Sequence, residues 1–271
     1  QVVQLSLVLL LFSLGFKLFT APIAAITAFA IVPIWIFFGN KRKLLVFIWN
    51  KIGEWQVNYR LEIFPYQWKI ALSWVSGYFI FQLFNPVLFA TEGAVVAGQM
   101  GMTMTVLNSI MALAFSWMTT KVPTFSGLIA KKDYTQLDTL FNRTLIQYAV
   151  LNAFALVVLF GAVFALRYLN IKIGGINFGD RFLSYWPMLF MMIPIFLNHF
   201  VASWATYMRC HKKEPLLMQS VTIGILCSIS TLTLGNSFGV MGITSGYLAL
   251  TIIGFIWTYF TFINKKKEWH N

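Results

Sequence analysis

The residues able to do chemistry in this chain are polar groups set inside apolar sequence. Tyr78, Gln82 and Asn85 are spaced so that they share one face of a helix. Gln99, Thr103, Thr105 and Asn108 follow in the next apolar run, and Asn198 and His199 fall near the middle of a later one. Hydrocarbon makes such groups costly unless they meet partners or a wet cavity. Amides beside an aromatic ring suit a sugar, and an imidazole at membrane depth can titrate or donate to an anion. Each group also has a plainer use. The amide stripe can bond helix to helix, and Asn198 is an adequate local partner for His199. Arg143, Arg167, Arg181 and Arg209 stand at the ends of apolar runs. There an arginine either snorkels to head groups or grips phosphate bidentately, and Arg143 is the strongest candidate for the second role. Glu92 sits at a break between two runs, as a solvated turn residue or a coupling carboxylate.

Covalent chemistry has no constellation here. The acids are Glu54, Glu62, Glu92, Asp133, Asp138, Asp180, Glu214 and Glu268, nearly all outside the apolar runs, and they form no paired-carboxylate motif. Zincin, Walker and nucleophile-elbow patterns do not occur. Cys210 and Cys227 have neither the spacing nor the context of a metal site or disulfide framework. The reading is a non-enzyme with no cofactor and no metal.

The elements that position these groups follow from composition. Of 271 residues, 59% are hydrophobic and 10% charged, against about 25% charged in a soluble domain. The pattern is that of an all-α polytopic membrane protein. Eight apolar spans can be drawn, at about 1–16, 22–39, 70–90, 94–118, 144–168, 183–208, 215–235 and 239–263. Pro86, Pro187 and Pro194 fall inside spans and are expected to kink them. Small residues at Ala94, Ala97, Gly98 and Gly101, and at Gly235, Gly239, Gly242 and Gly246, are expected to let helices approach closely.

The net charge of +12 does not imply nucleic acid, because the basic residues sit in a few loops. Sixteen of the 20 lysines and arginines fall in 40–69, 119–143, 209–214 and the tail, on one side of the drawn spans. Lys17, Arg167, Lys172 and Arg181 fall on the other. The imbalance predicts cytoplasmic long loops and a cytoplasmic C-terminus, with contact to anionic membrane lipids. Leu44–Trp55, in the long basic loop, reads either as a helix lying flat in the interface or as a plain connector. The chain begins at Gln1 inside an apolar run, with no basic leader or cleavage site, which predicts a piece that has lost its N-terminal part. Asn142–Thr144 matches a glycosylation sequon but falls on the basic-loop side, where it is not used.

The segment Pro123–Arg143 has the pattern P-x4-L-x-A-x2-D-x3-L-x2-L-F-x-R, carried by Pro123, Leu128, Ala130, Asp133, Leu137, Leu140, Phe141 and Arg143. Its leucines and Phe141 form an apolar stripe, as on a short Pro-started surface helix. This pattern resembles the cytoplasmic segment after the second helix of a lobe in polysaccharide and O-antigen flippases, of the multidrug/oligosaccharidyl-lipid/polysaccharide exporter superfamily. QLFNP at 82–86 and AGQMG at 97–101 resemble the preceding helix pair of such exporters.

The resemblance implies the last two helices of an N-terminal lobe at 1–39 and a cytoplasmic connector at 40–69. A complete six-helix C-terminal lobe at 70–263 and a tail at 264–271 would follow. It further implies transport of an undecaprenyl-pyrophosphate-linked oligosaccharide across the bacterial cytoplasmic (inner) membrane by alternating access, alongside glycan-assembly enzymes. Tyr78, Gln82, Asn85, Gln99, Arg143, Asn198 and His199 would contact the substrate. A drug/cation antiporter shares the layout, but the scarcity of intramembrane carboxylates counts against it. A membrane enzyme of glycan assembly would want acids or a sizeable outer loop, and the longest here runs only from about 169 to 182.

Overall fold

A computed structural model describes residues 2–16, 19–38, 43, 58–170, 172–173 and 176–270. Among these the fold is helical apart from one antiparallel pair of two-residue strands, β1 (Lys172–Ile173) and β2 (Ile176–Asn177). The chain divides into two compact units, Gln1–Asn58 and Tyr59–Asn271. In the first, α1 (Val2–Ser13) packs on α2 (Thr20–Phe38) after a turn through Gly15, whose φ is 84°. Six stretches are long and apolar enough to cross a membrane: Thr20–Phe38, Tyr59–Thr91, Ala94–Ala130, Tyr134–Tyr168, Tyr185–Cys210 and Leu217–His270. The chain therefore reads as a multi-pass helical membrane protein. At 12 residues, α1 is too short to be counted with them. The segment Leu44–Trp55, read as an interfacial helix or a plain connector, lies outside the described residues.

The second unit opens with a π-helical turn, Tyr59–Ile63, that runs into α3 (Phe64–Gln82) and α4 (Phe84–Thr91). The break between α3 and α4 has an identifiable cause. Pro86 has no N–H to give to the Gln82 carbonyl, so the ladder lapses there and resumes with Val87 N donating to Leu83 O at 3.2 Å. After the Thr91–Gly93 turn, α5 runs Ala94–Thr119. Then come α6 (Val122–Ala130), α7 (Tyr134–Tyr168), α8 (Tyr185–Cys210) and α9 (Leu217–His270). Pro187 does not kink α8. It lies in the first turn, where no intrahelical N–H is needed, whereas Pro194 is truly interior.

One expectation changes at the motif segment. Pro123–Arg143 is not one surface helix but the nine-residue α6 followed by the first turns of the 35-residue α7. Lys132, at φ 57°, turns the chain between them, and the Asp133 carboxylate caps α7 by accepting from Gln136 N at 3.0 Å. The expected apolar stripe is there: Leu128, Leu137 and Phe141 are buried and Leu140 packs beside them.

The 54 residues of α9 are two arms, 217–238 and 240–270, folded back on each other at Gly239 (φ 56°). A Cβ at Gly242 would lie 2.2 Å from the Leu234 carbonyl oxygen, and one at Gly246 would lie on the Ser230 hydroxyl. Small residues therefore set the distance between the arms, as anticipated. Gln219 Nε2 donates across the hairpin to Gly254 O and Thr258 Oγ1. Glu92, from the turn after α4, accepts at Oε1 from Val240 N at 2.8 Å, so its carboxylate caps the second arm.

Around this hairpin, α9 packs on α8, α3 and α4, while α5 packs on α4, α7 and α8. One core cluster (Phe84, Leu88, Met100, Met188, Ile195) lies toward the Phe182–Leu183 loop. The other (Met118, Phe125, Phe141, Tyr207, Met208, Phe262) lies toward the basic loops. At that end Asp138 accepts from Tyr207 Oη at 2.7 Å and pairs with Lys266 at 2.8 Å, and Tyr134 stacks on His270. His211 faces Trp269 there; burial first, then the neighbouring His270 and Lys213, pushes it down to about 4, so it is neutral at pH 7.

Gly242→Ala is expected to force the hairpin apart at a cost of about 1–3 kcal/mol. Gly161→Ala, whose Cβ would meet nothing within 4 Å, is expected to change little. Thermal unfolding in detergent should show a lowered midpoint for the first variant only.

Candidate functional site

Two concavities in the second unit carry the polar groups. The larger is a groove of about 1030 Å³ along α4 and α5. Asn85, Pro86 and Phe89 form one wall, and the face of α5 from Ala94 to Thr105 forms the other. Asp180 and Arg181, from the loop after β2, stand at its end. Helix α4 approaches α5 closely enough that a Cβ on Gly101 would sit 3.4 Å from the Asn85 amide nitrogen. Ala94 and Gly98 are exposed in this groove and nothing lies within 4 Å of a Cβ at Gly98. Of the small residues anticipated as a helix contact, Gly101 meets α4 and Ala97 is buried, whereas Ala94 and Gly98 are the floor of an opening.

The end of the groove is fixed by a pinned loop. Arg167 donates to the carbonyls of Gly179, Phe182 and Leu183 at 3.2, 3.0 and 3.0 Å, and lies over the Tyr185 ring. Thr103, fully buried on α5, accepts from Leu183 N at 3.0 Å. Gln99 Nε2 donates to Asp180 O at 2.8 Å, which fixes its amide at the groove wall. Arg167 is thus a structural clamp and Arg181 the cation left at the opening.

The second concavity, about 300 Å³, lies among α3, α5, α8 and both arms of α9. Its polar lining includes Ser73, Asn108, Asn198, Gln219 and Tyr247. Asn198 Nδ2 donates to Tyr247 Oη at 2.8 Å, and Ser73 bonds Ser220 across α3 and α9. Arg209 and Glu214 form a two-point ion pair at one end.

The anticipated residues therefore separate. Asn85 and Gln99 meet in the groove, and Asn198 lines the inner cavity. Tyr78 and Gln82 are exposed on α3, continuing the face of Asn85. Arg143 is exposed on α7, away from both concavities. His199 is fully buried and lines neither one; it is packed by Tyr148, Phe196 and Phe200. Neither ring nitrogen makes a hydrogen bond of good geometry, although the Leu145 backbone is within reach. The Tyr148 hydroxyl and both amide atoms of Asn152 are likewise buried without a partner. Sequence reading passed over Tyr148 and Asn152, although they repeat the four-residue spacing of Tyr78 and Gln82. Among the described residues no group of three or more His, Cys, Asp or Glu is placed to hold a metal ion.

No family model matches this sequence, and no curated protein or solved structure matches it.

Gln219→Leu is expected to lower the unfolding midpoint, because it removes both bonds across the α9 hairpin. Asn152→Leu, which removes an unsatisfied buried amide whose burial costs about 1–3 kcal/mol, is expected to leave the midpoint unchanged or raise it. Thermal unfolding of both variants in one detergent checks the contrast.

Proposed function

We propose that this protein is a transporter that moves a lipid-linked oligosaccharide, carried on undecaprenyl pyrophosphate, from the inner to the outer leaflet of a bacterial cytoplasmic membrane. The observation that carries the reading is the groove along α4 and α5. It offers amides at Asn85 and Gln99, a hydroxyl at Thr105 and a guanidinium at Arg181, within helices otherwise suited to lipid. Sugars are bound by amides and hydroxyls, and pyrophosphate by arginine. The exposed Tyr78 and Gln82 extend the polar face along α3. The resemblance of Pro123–Arg143 to polysaccharide exporters supports the same class.

In this reading α1 and α2 end a preceding lobe. The six helices of the second lobe are α3 with α4, α5, α7, α8 and the two arms of α9, which with α2 give seven crossings; α1 is an eighth apolar segment, shorter than a crossing. The basic loops and the C-terminus are cytoplasmic, by the imbalance of lysine and arginine. Transport is by alternating access, and no bond is made or broken. The lipid tail stays in the bilayer while the sugar and pyrophosphate cross in the groove. Enzymes that assemble the glycan supply the cargo and consume it.

In cells that depend on the full-length protein, Asn85→Leu, Arg181→Ala and Arg143→Ala are each expected to reduce surface glycan while membrane levels of the protein hold. His199→Ala, which empties a fully buried ring site against Tyr148, is expected to do the same. Undiminished surface glycan in all four variants would overturn the proposal.

A further inference from the structure

The end of the second unit that carries the basic loops holds a third concavity, of about 560 Å³, away from the groove and adjoining the inner cavity at Glu214. Four lysines from three elements line it: Lys69 on α3, Lys212 and Lys213 in the turn between α8 and α9, and Lys265 near the end of α9. Tyr66 and Trp269 supply aromatic walls. Three carboxylates also line it, Glu62, Glu214 and Glu268. Glu214, only 1% exposed at its side chain, is held by Arg209, and Glu268 pairs with Lys265 at 2.6 Å. Among the described residues no carboxylate forms an ion pair with Lys69, Lys212 or Lys213. Lys213 instead lies over the Trp269 ring, 5.2 Å from its centroid. Lys69, Lys212 and Lys213 therefore line one pocket with no carboxylate paired to them among the described residues.

A cluster of like charges repels itself unless an anion or solvent screens it, and here an indole and a phenol form part of the walls. Lysine is a compact phosphate donor, and basic pockets between membrane helices take phospholipid head groups. The neighbouring surface has the matching shape. Trp68, Leu72, Val75 and Phe79 recur at helical spacing on α3 and are all exposed, forming an apolar stripe that starts beside Lys69. A ligand with a phosphate at one end and acyl chains at the other fills both features, whereas a soluble phosphate fills only the first.

We propose that this pocket binds the phosphodiester head group of an anionic membrane lipid, with its acyl chains lying along the α3 stripe. The lipid is a resident one, bound whether or not the groove carries cargo, so the site stands apart from the transport reading.

Native mass spectrometry of the delipidated protein in neutral detergent tests the proposal, with phosphatidylglycerol, phosphatidylcholine or inorganic phosphate added. Phosphatidylglycerol should give a retained adduct, and phosphatidylcholine should not. The double variant Lys212→Gln/Lys213→Gln should weaken retention by about tenfold or more, with Lys69→Gln as a milder version should the double variant unfold. Lys267→Gln, outside the pocket, should retain the lipid fully. Equal retention of both lipids, or undiminished retention in the pocket variants, would overturn the proposal. Inorganic phosphate displacing the lipid at equal concentration would also overturn it, by showing that the acyl stripe contributes nothing.

Discussion

The close pairing of the two arms of α9 is the contact on which the rest of the second unit depends. Between helices in lipid there is no hydrophobic drive to associate, so packing distance and interhelical hydrogen bonds decide. Glycine at 242 and 246 lets backbone meet backbone, and Gln219 bridges the arms with one amide. The hairpin then presents surfaces to α3, α4 and α8. Glu92 ties the apex to the α4–α5 turn, because the carboxylate that caps the second arm comes from that turn. A Cβ at Gly239 would occupy the place of this carboxylate, so the glycine serves both the turn and the cap.

This arrangement leaves α4 and α5 supported from behind and open in front. Their open face is the groove, and the clamp at Arg167 with the bonds from Thr103 and Gln99 holds the loop that closes its end. Rigid backing and an open, largely apolar face set with a few amides, a hydroxyl and a guanidinium suit the bulky amphiphile proposed as cargo. The inner cavity differs: its amides and hydroxyls are largely spent on one another, as in the bond from Asn198 to Tyr247.

Much of this was legible in the sequence. The long apolar helices from Thr20 onward follow from hydropathy, and the hairpin glycines from their spacing. The capping Asp133 was not recognised as a cap, because the apolar stripe of Leu128, Leu137 and Phe141 continues smoothly across the break at Lys132. Pro187 is not legible as a first-turn residue, because a proline there and one in the interior read alike until the helix start is known. The site was harder. A polar residue inside an apolar run looks the same whether it faces a groove, as Asn85 does, a hydrogen-bond partner, as Asn198 does, or only other rings, as His199 does. Helix rotation decides among these, and packing from distant segments sets that rotation.

The most direct test of transport is leaflet exchange in a defined bilayer. Full-length protein would be reconstituted into vesicles holding a fluorescent undecaprenyl-pyrophosphate oligosaccharide in the inner leaflet, and a membrane-impermeant quencher added outside. Protein-dependent quenching that Asn85→Leu slows is the expected result. Quenching no faster than in protein-free vesicles would contradict the account.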